Sequence, residues 1–223
     1  MCGIFGTTEL ERYKTLYKLN QDRGAFAYGG CYLNMDPGDM AVHRVSGTVE
    51  PPSILEDYDY CLGHTQGPTS SVREFDGEKS HPFRCGDWLV AHNGVLENDR
   101  EIIGKYSLEH CTSEVDSSVI PALLSYYEII APSRDHEVEA ITDMLEEISG
   151  TYAMWIVNQK TYNIYLARVG STLFMNKNGT EFSSKTTKNF KSIPEGSLLK
   201  YNKDTKRFEQ ISVFEYDSPY FIL

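Results

Sequence analysis

The sequence predicts an α+β fold in which a helical segment separates two groups of strands. Short apolar runs bounded by Gly, Pro or Asp come first, and such runs are typical of strands. A stretch with helical apolar spacing follows, and strand patterns then return. Strands, then helices, then strands favour a layered α+β arrangement over a repeated parallel βαβ unit.

The predicted strands fall on both sides of the helical stretch. In the first half of the chain, the apolar runs predict strands at residues 3–5, 25–33, 40–45, 58–63 and 88–92. In the second half, they predict strands at residues 152–157, 164–168, 172–175, 197–201 and 208–213. Residues 63–83 are rich in Gly, Ser, Thr and Pro, and we expect a functional loop there because the segment is long.

Two helices are predicted between these groups, at residues 115–130 and 136–148. In the second helix, apolar residues recur at helical spacing; they are Val138, Ile141, Leu145 and Ile148. Asp135 is the expected N-cap of this helix, and Gly150 is its expected stop.

Composition and charge restrict the class of protein. Hydrophobic residues make up 40% and charged residues 24% of the chain, as in ordinary globular proteins, and we expect a single domain over residues 1–223. The net charge of -11 argues against nucleic acid as a partner, because nucleic-acid binding needs clustered Lys and Arg. Without an apolar run of roughly 18 residues or a secretory signal pattern, no membrane partner and a cytoplasmic location are expected.

The five cysteines predict neither a disulfide framework nor a zinc site. Their number is odd, they are widely spaced, and they contain no C-x-x-C pair; they are Cys2, Cys31, Cys61, Cys85 and Cys111. We expect four of them to be plain buried thiols.

The N-terminus carries the strongest chemical signal. Met1 is removed efficiently when the next residue is small, and its removal leaves Cys2 with both a thiol and a free α-amine. The reference pKa values are roughly 8.5 for the thiol and 7.7 to 8.0 for the amine, so the amine can serve as base for the sulfur near neutral pH. One residue then supplies nucleophile and base.

The run Cys2-Gly3-Ile4-Phe5-Gly6 resembles the opening of class II glutamine amidotransferases, such as the glutaminase domain of glucosamine-6-phosphate synthase. Further segments resemble this family in the same order, at Arg23-Gly24, Gly63-His64-Thr65, Ser80-His81-Pro82-Phe83, Ala91-His92-Asn93-Gly94, Glu114-Val115-Asp116 and Ser183-Ser184-Lys185. The resemblance implies the four-layer αββα sandwich of N-terminal-nucleophile hydrolases.

The resemblance also implies roles for individual residues. Cys2 is the expected nucleophile, and Arg23 is expected to support its surroundings. Attack on an amide carbon produces an oxyanion, which fixed hydrogen-bond donors stabilise. The Asn93 side chain and the Gly94 backbone N–H are expected to supply those donors.

Recognition of the substrate is expected to involve a second set of residues. By resemblance, Asp116 binds the α-amino group of glutamine. His64 and Thr69 belong to the motif that begins the expected loop, and His81 belongs to the motif that ends it. All three are candidate substrate-binding residues.

The chain departs from the family at Gln66, where an arginine normally binds the α-carboxylate of glutamine. A neutral amide lacks the charge and the fork geometry of a guanidinium. Either Arg73 supplies the missing charge, or the substrate differs from glutamine at its α-carboxylate. Where some members have an aromatic residue that gates ammonia, this chain has Gly67, so no gating is expected.

The expected function is that of a glutaminase subunit that needs neither a metal nor an organic cofactor. Glutamine is the expected substrate, and the ammonia is expected to pass to a separate acceptor synthase, because the sequence ends at Leu223, shortly after the last predicted strand. Two alternatives stay open. One is an amidohydrolase acting on another γ-glutamyl or related amide, which Gln66 motivates, and the other is an inactive regulatory or binding subunit.

Overall fold

Two antiparallel sheets packed face to face form the centre of the protein in the computed structural model, which describes residues 2–36, 38–47, 58–67, 79–130 and 137–217. In chain order the strands of these ranges are β1 (Gly3–Thr7), β2 (Ala27–Asn34), β3 (Asp39–Ser46), β4 (Tyr60–Gln66), β5 (Phe83–Cys85), β6 (Trp88–Leu96), β7 (Gly150–Asn158), β8 (Asn163–Val169), β9 (Phe174–Asn176), β10 (Phe182–Ser183), β11 (Phe190–Ser192), β12 (Ser197–Asn202) and β13 (Arg207–Val213). Sheet A has the order β11-β9-β10-β1-β4-β2-β3, and sheet B has the order β13-β12-β8-β7-β6-β5.

Helices cover the outer faces of the two sheets. They are α1 (Leu10–Gln21), α2 (Asp99–Tyr106), α3 (Val119–Ile130) and α4 (Glu137–Glu147), and a 3-10 turn at Asp116–Ser118 leads into α3. Helix α1 packs on sheet A, whereas α2, α3 and α4 pack on sheet B. None of the helices in the described ranges is long and apolar enough to cross a bilayer. The layers therefore follow the order helix, sheet, sheet, helices, and the predicted four-layer αββα sandwich is confirmed.

The core between the sheets is apolar because alternate residues of each strand point to the same face. Ile4 and Leu62 of sheet A meet Leu89 and Trp155 of sheet B in this layer, and all four are buried. The residues that alternate with them point outward to the helices. Phe5 of β1, for example, packs against α1. Strand alternation therefore allows each sheet to bury both of its faces.

Every predicted strand overlaps an observed one, but the sequence analysis missed two helices. Helix α1 escaped prediction because its buried face mixes tyrosines and an asparagine with a single leucine; these residues are Tyr13, Leu16, Tyr17 and Asn20. Helix α2 is only eight residues long and buries a single residue, Ile102. Neither helix offers the clear apolar stripe by which an amphipathic helix is recognised.

Several predicted boundaries differ from the observed ones. The helix predicted at 115–130 begins with the 3-10 turn, and Asp135 lies outside the described residues. Gly150, the expected helix stop, is the first residue of β7. Residues 63–66 of the expected loop belong to β4, while 68–78 lie outside the described residues.

The expectation of no disulfide was wrong, because Cys85 and Cys111 form one. They lie 26 residues apart in the sequence, and their Cα atoms are 5.8 Å apart. The segment after α2 folds back onto β5 and brings the two thiols together, a juxtaposition that cysteine spacing does not reveal. Cys31 and Cys61 are buried free thiols, as expected.

Candidate active site

Cys2 lies at the beginning of β1, a central strand of sheet A, and is half-buried. Its Sγ is 3.9 Å from the carbonyl oxygen of Gly67. The turn after α1 closes on the same backbone, and a Cβ at Gly24 would lie 2.1 Å from the Gly67 nitrogen. Glycine at position 24 therefore allows this turn to lie against the backbone of Gly67, whose carbonyl oxygen faces Cys2.

Arg23 holds the backbone of Cys2 in place. Its Nη1 donates to the Cys2 carbonyl at 3.3 Å, and its Nη2 donates to Thr172 Oγ1 at 2.6 Å. Burial lowers the pKa of the guanidinium, and the nearby Cys2 opposes this shift. An arginine stays protonated even so. It places a fixed positive charge beside the thiol.

The surroundings of Cys2 favour the neutral form of its thiol. Burial raises the pKa of the thiol above its usual value, and the charge of Asp116 adds to this effect. The Gly67 backbone, the charge of the N-terminus and the Arg23 charge lower the pKa without cancelling the effect of burial. Because only the thiolate is strongly nucleophilic, a base must take the proton as the sulfur attacks.

Asn93 reaches from sheet B toward the strand of Cys2. It lies on β6, is buried, and its Nδ2 donates to Ser184 Oγ at 3.3 Å. The same oxygen accepts a hydrogen bond from the Ile4 N–H at 3.0 Å. A single hydroxyl therefore connects the nucleophile's strand in sheet A with Asn93 in sheet B.

Gly94 follows in a conformation that requires glycine. Its φ is +154°, and a Cβ there would lie 1.9 Å from the carbonyl oxygen of Thr151 on the neighbouring β7. The residue is half-buried, next to the end of β6. Its backbone can approach a ligand closely because it carries no side chain.

Asp116 is fixed by hydrogen bonds to both carboxylate oxygens. Oδ2 accepts from the Leu96 N–H at 2.9 Å, and Oδ1 accepts from the Ser117 N–H at 2.9 Å. Ser117 Oγ lies 2.9 Å from Nδ1 of the buried His92, whose Nε2 faces the Thr151 carbonyl at 3.3 Å. Asp116 is thereby tied to the end of β6, close to Gly94.

Comparisons with known proteins assign the chain to a family. A family model described as a glutamine amidotransferase domain matches residues 72–188, more than half of the chain. The chain belongs to the glutamine amidotransferase domain family. This membership confirms the resemblance to class II glutamine amidotransferases that the N-terminal run indicated.

Relatives of the amidotransferase domain are longer than the chain. It is 27% identical over 196 residues to a 7-cyano-7-deazaguanine synthase of Saccharolobus solfataricus, matching 78% of this chain and 40% of that protein. It is 28% identical over 187 residues to a glutamine–fructose-6-phosphate aminotransferase (isomerizing) of Staphylococcus aureus, matching 78% of this chain and 30% of that protein. The chain therefore spans less than half of each curated relative.

Solved structures support the fold of the amidotransferase domain. A glutamine phosphoribosylpyrophosphate amidotransferase from B. subtilis, complexed with ADP and GMP, superimposes with a TM-score of 0.72 at 19% identity. The match covers 94% of this chain and 49% of that one. At this identity the likeness establishes a shared fold.

Two histidines of the amidotransferase domain form a buried pair of tilted rings. The ring centroids of His64 and His81 are 4.0 Å apart, and their ring nitrogens make no hydrogen bond of ordinary geometry in the described part of the chain. Burial lowers the pKa of His64 to about 3, and burial together with the neighbouring histidines holds the pKa of His81 well below its usual value. Both rings are neutral at physiological pH.

The structure brings most of the predicted site residues to one end of the sheets. Cys2 contacts Arg23 directly and is linked to Asn93 through Ile4 and Ser184. Gly94 lies on β6, and Asp116 accepts from Leu96 at the end of the same strand. Gln66 and His64 lie on β4, and the His81 ring lies against the His64 ring. Thr69 and Arg73 are outside the described residues.

The sequence analysis assigned no role to Ser184 or Thr172. Ser184 was part of a segment that resembles the family, but nothing in its spacing relates it to Cys2 or Asn93. Thr172 accepts from Arg23 and donates to the Ser184 carbonyl at 2.9 Å. Their contacts with Arg23, Ile4 and Asn93 join segments that are distant in the sequence, and only the folded arrangement reveals them.

The buried histidine pair predicts a loss of stability in acid. Because both folded-state pKa values lie below the unfolded value of roughly 6.5, stability is complete above that pH and falls as the pH drops toward 4. Each ring contributes a slope of up to about 1.4 kcal/mol per pH unit to the free energy of unfolding. Urea unfolding at several pH values between 7 and 4.5 measures this dependence of the free energy of unfolding on pH.

In that experiment, His64→Gln removes one titrating ring. The slope of the free energy of unfolding against pH is expected to fall by up to about 1.4 kcal/mol per pH unit. His110→Gln removes an exposed imidazole and serves as the matched histidine substitution. An equal slope in wild type and His64→Gln would contradict the assignment of a neutral buried ring.

Proposed function

We propose that this chain is the glutaminase half of a glutamine amidotransferase. Cys2, freed of Met1, attacks the side-chain amide of glutamine, ammonia leaves, and water hydrolyses the resulting γ-glutamyl thioester to glutamate. The observation that carries the proposal is the hydrogen-bonded connection from the strand of Cys2 through Ser184 to Asn93. It joins a candidate nucleophile to a candidate oxyanion donor across two sheets.

The proposed base is the α-amine of Cys2 itself. Burial raises the pKa of the thiol, and the proposed attack therefore includes proton transfer to a nearby group. The α-amine has a reference pKa of roughly 7.7 to 8.0, belongs to the same residue, and is free once Met1 is removed. The Arg23 guanidinium holds the Cys2 carbonyl, which fixes the backbone on which both groups sit. After ammonia leaves, the same amine activates the water.

The proposed oxyanion donors are the Asn93 side chain and the Gly94 backbone N–H. An asparagine amide has two N–H bonds, and Ser184 accepts one of them, which leaves the other for the substrate oxygen. A fixed donor of this kind contributes about 3 kcal/mol to stabilisation of the tetrahedral intermediate.

Asp116 is the proposed partner of the substrate α-ammonium group. Its carboxylate is half-buried and anchored by two backbone N–H groups, so it does not swing away into solvent. Its charge reaches Cys2, where it raises the pKa of the thiol. An ammonium group bound there would offset this negative charge beside the nucleophile.

The first test of the proposed function is the chemistry of Cys2. After incubation with 6-diazo-5-oxo-L-norleucine, a reactive glutamine analogue, intact-protein mass spectrometry is expected to show loss of Met1 and one adduct that maps to Cys2. Cys2→Ala is expected to form no adduct and to release no ammonia from glutamine. The buried thiols Cys31 and Cys61 serve as internal controls and stay unmodified.

Retained Met1, or no adduct in protein that is folded by circular dichroism, would contradict the proposed nucleophile. That result would favour a regulatory or binding subunit without activity.

Gln66 motivates a second candidate, an amidohydrolase acting on a larger γ-glutamyl amide. The side chain is buried on β4, and its Oε1 has no hydrogen-bond partner within the described ranges. Its amide can donate hydrogen bonds to a carboxylate but brings no positive charge. Binding of the glutamine α-carboxylate at this position is therefore proposed to be weak.

The contribution of the α-carboxylate is measured by comparing glutamine with glutaminamide, in which that group is a neutral amide. A hydrogen bond from the Gln66 amide to the carboxylate contributes about 1.5 to 3 kcal/mol, because the acceptor is charged. If Gln66 alone faces this group, the ratio of kcat/KM between the two compounds is expected to be the same in wild type and Arg73→Gln. If Arg73 supplies a charge, this ratio is expected to fall in Arg73→Gln. Activity on neither compound but on γ-glutamyl peptides would favour the second candidate.

We further propose that a separate protein accepts the ammonia. The two curated relatives are named a synthase and an aminotransferase, and the chain matches 40% and 30% of their lengths. The part of each relative outside the match is the proposed counterpart of the acceptor. A cytoplasmic location is the matching proposal, although a disulfide such as Cys85–Cys111 is uncommon in reducing compartments.

An acceptor in trans predicts stable or transient association. Tagged wild-type protein isolated from its natural host under native conditions is expected to retain an amine-forming enzyme, and this enzyme is expected to raise glutaminase activity when added back. A high glutaminase activity that no co-purifying protein changes would contradict a separate acceptor.

A further inference from the structure

Ser184 holds the strand of the nucleophile with its backbone and its side chain. The residue directly follows β10 and is fully buried. Its N–H donates to the Ile4 carbonyl at 2.8 Å, and its Oγ accepts from the Ile4 N–H at 3.0 Å. Both polar groups of the Ile4 backbone therefore bind one residue, two positions beyond Cys2.

The Ser184 hydroxyl also binds Asn93 from the opposite sheet. Asn93 Nδ2 donates to it at 3.3 Å, so the oxygen accepts from two donors that belong to different sheets. An asparagine side chain can rotate about two torsions, and this contact restrains them. The contact also determines which N–H bond of the Asn93 amide is left for another acceptor.

A second connection runs from Ser184 to the other side of Cys2. The Ser184 carbonyl accepts from Thr172 Oγ1 at 2.9 Å, and Thr172 Oγ1 accepts from Arg23 at 2.6 Å. Arg23 in turn donates to the Cys2 carbonyl. These bonds and the covalent chain from Cys2 to Ile4 close a ring, and Asn93 is attached to it at Ser184.

We propose that Ser184 is a positioning residue of the glutaminase reaction, which sets the Asn93 amide at the correct place relative to Cys2. This inference rests on the proposed function. Ser184 acts through Asn93 and does not touch the substrate. Because an oxyanion donor works only when it is aimed at the developing charge, a small displacement of Asn93 lowers the rate of the chemical step. Substrate affinity depends on other groups and changes little.

Ser183 offers a matched control on the same strand. It is also fully buried, and its Oγ also accepts two hydrogen bonds, from Asn20 Nδ2 at 2.9 Å and from the Lys185 N–H at 3.1 Å. Its contact with Asn20 places it toward α1, on the face away from Asn93. Ser183→Ala therefore removes an equivalent buried hydroxyl without touching the proposed link.

The test compares steady-state glutaminase kinetics and thermal stability of Ser184→Ala and Ser183→Ala. Both variants are expected to lose similar stability. Ser184→Ala is expected to lower kcat by about 10- to 100-fold with KM within about threefold, whereas Ser183→Ala keeps kcat within about threefold. An unchanged kcat in Ser184→Ala, or an equal loss of kcat in both variants, would overturn the proposal. If Ser184→Ala does not fold, Ser184→Cys preserves the volume with a weaker acceptor and takes its place.

A double-mutant cycle with Asn93→Ala separates this inference from the proposed function. Asn93→Ala alone is expected to lower kcat by about 100- to 1000-fold. In that background, Ser184→Ala is expected to lower kcat no further, because the residue it positions is gone. Additive losses would overturn the positioning role while leaving the oxyanion assignment intact. Wild-type kcat in Asn93→Ala would refute the oxyanion assignment itself, and the positioning role with it.

Discussion

The packing of sheet A on sheet B is the constraint on which the rest of the structure depends. Apolar side chains from both sheets interdigitate between them, and Trp155 of β7 donates its buried indole N–H to the Gly63 carbonyl of β4 at 3.2 Å. A buried donor without a partner is costly, so this bond helps to fix the position of one sheet relative to the other. With the sheets held in this way, the start of β1 faces Asn93 and Gly94 of β6, and Ser184 bridges them.

The side chains between the two sheets become more polar toward the candidate site. Far from the site, the facing side chains are aliphatic and aromatic, as in an ordinary sandwich core. Toward Cys2, polar side chains take their place, and several buried atoms have no partner in the described ranges, on His64, His81 and Gln66. Polar atoms of this kind concentrate at functional sites, where a ligand or water can satisfy them.

The sequence analysis predicted strands better than helices for a physical reason. The strands of this protein are mostly buried, so apolar runs bounded by turn residues identify them. Helix α1 buries two tyrosines, and the hydroxyl of Tyr13 lies 2.6 Å from the hydroxyl of Tyr28 on β2. Such residues do not form an apolar stripe. The disulfide was missed for a related reason. The distance between Cys85 and Cys111 depends on how α2 and β5 pack, and neither element's own sequence contains that information.

The sequence by itself determined the family and the α+β class, and it predicted the residue types of the candidate site. These are local properties, since Cys2 with its neighbours and Asn93 with Gly94 form short segments whose chemistry is readable in isolation. Only the tertiary structure decided how the segments cooperate. The Arg23, Thr172 and Ser184 contacts, and the anchoring of Asp116 on Leu96, join residues that are 12 to 180 positions apart. Side-chain hydrogen bonds of this kind form only when the separation of the packed elements is correct to a few tenths of an ångström. Those separations arise only when both sheets and all the layers are in place.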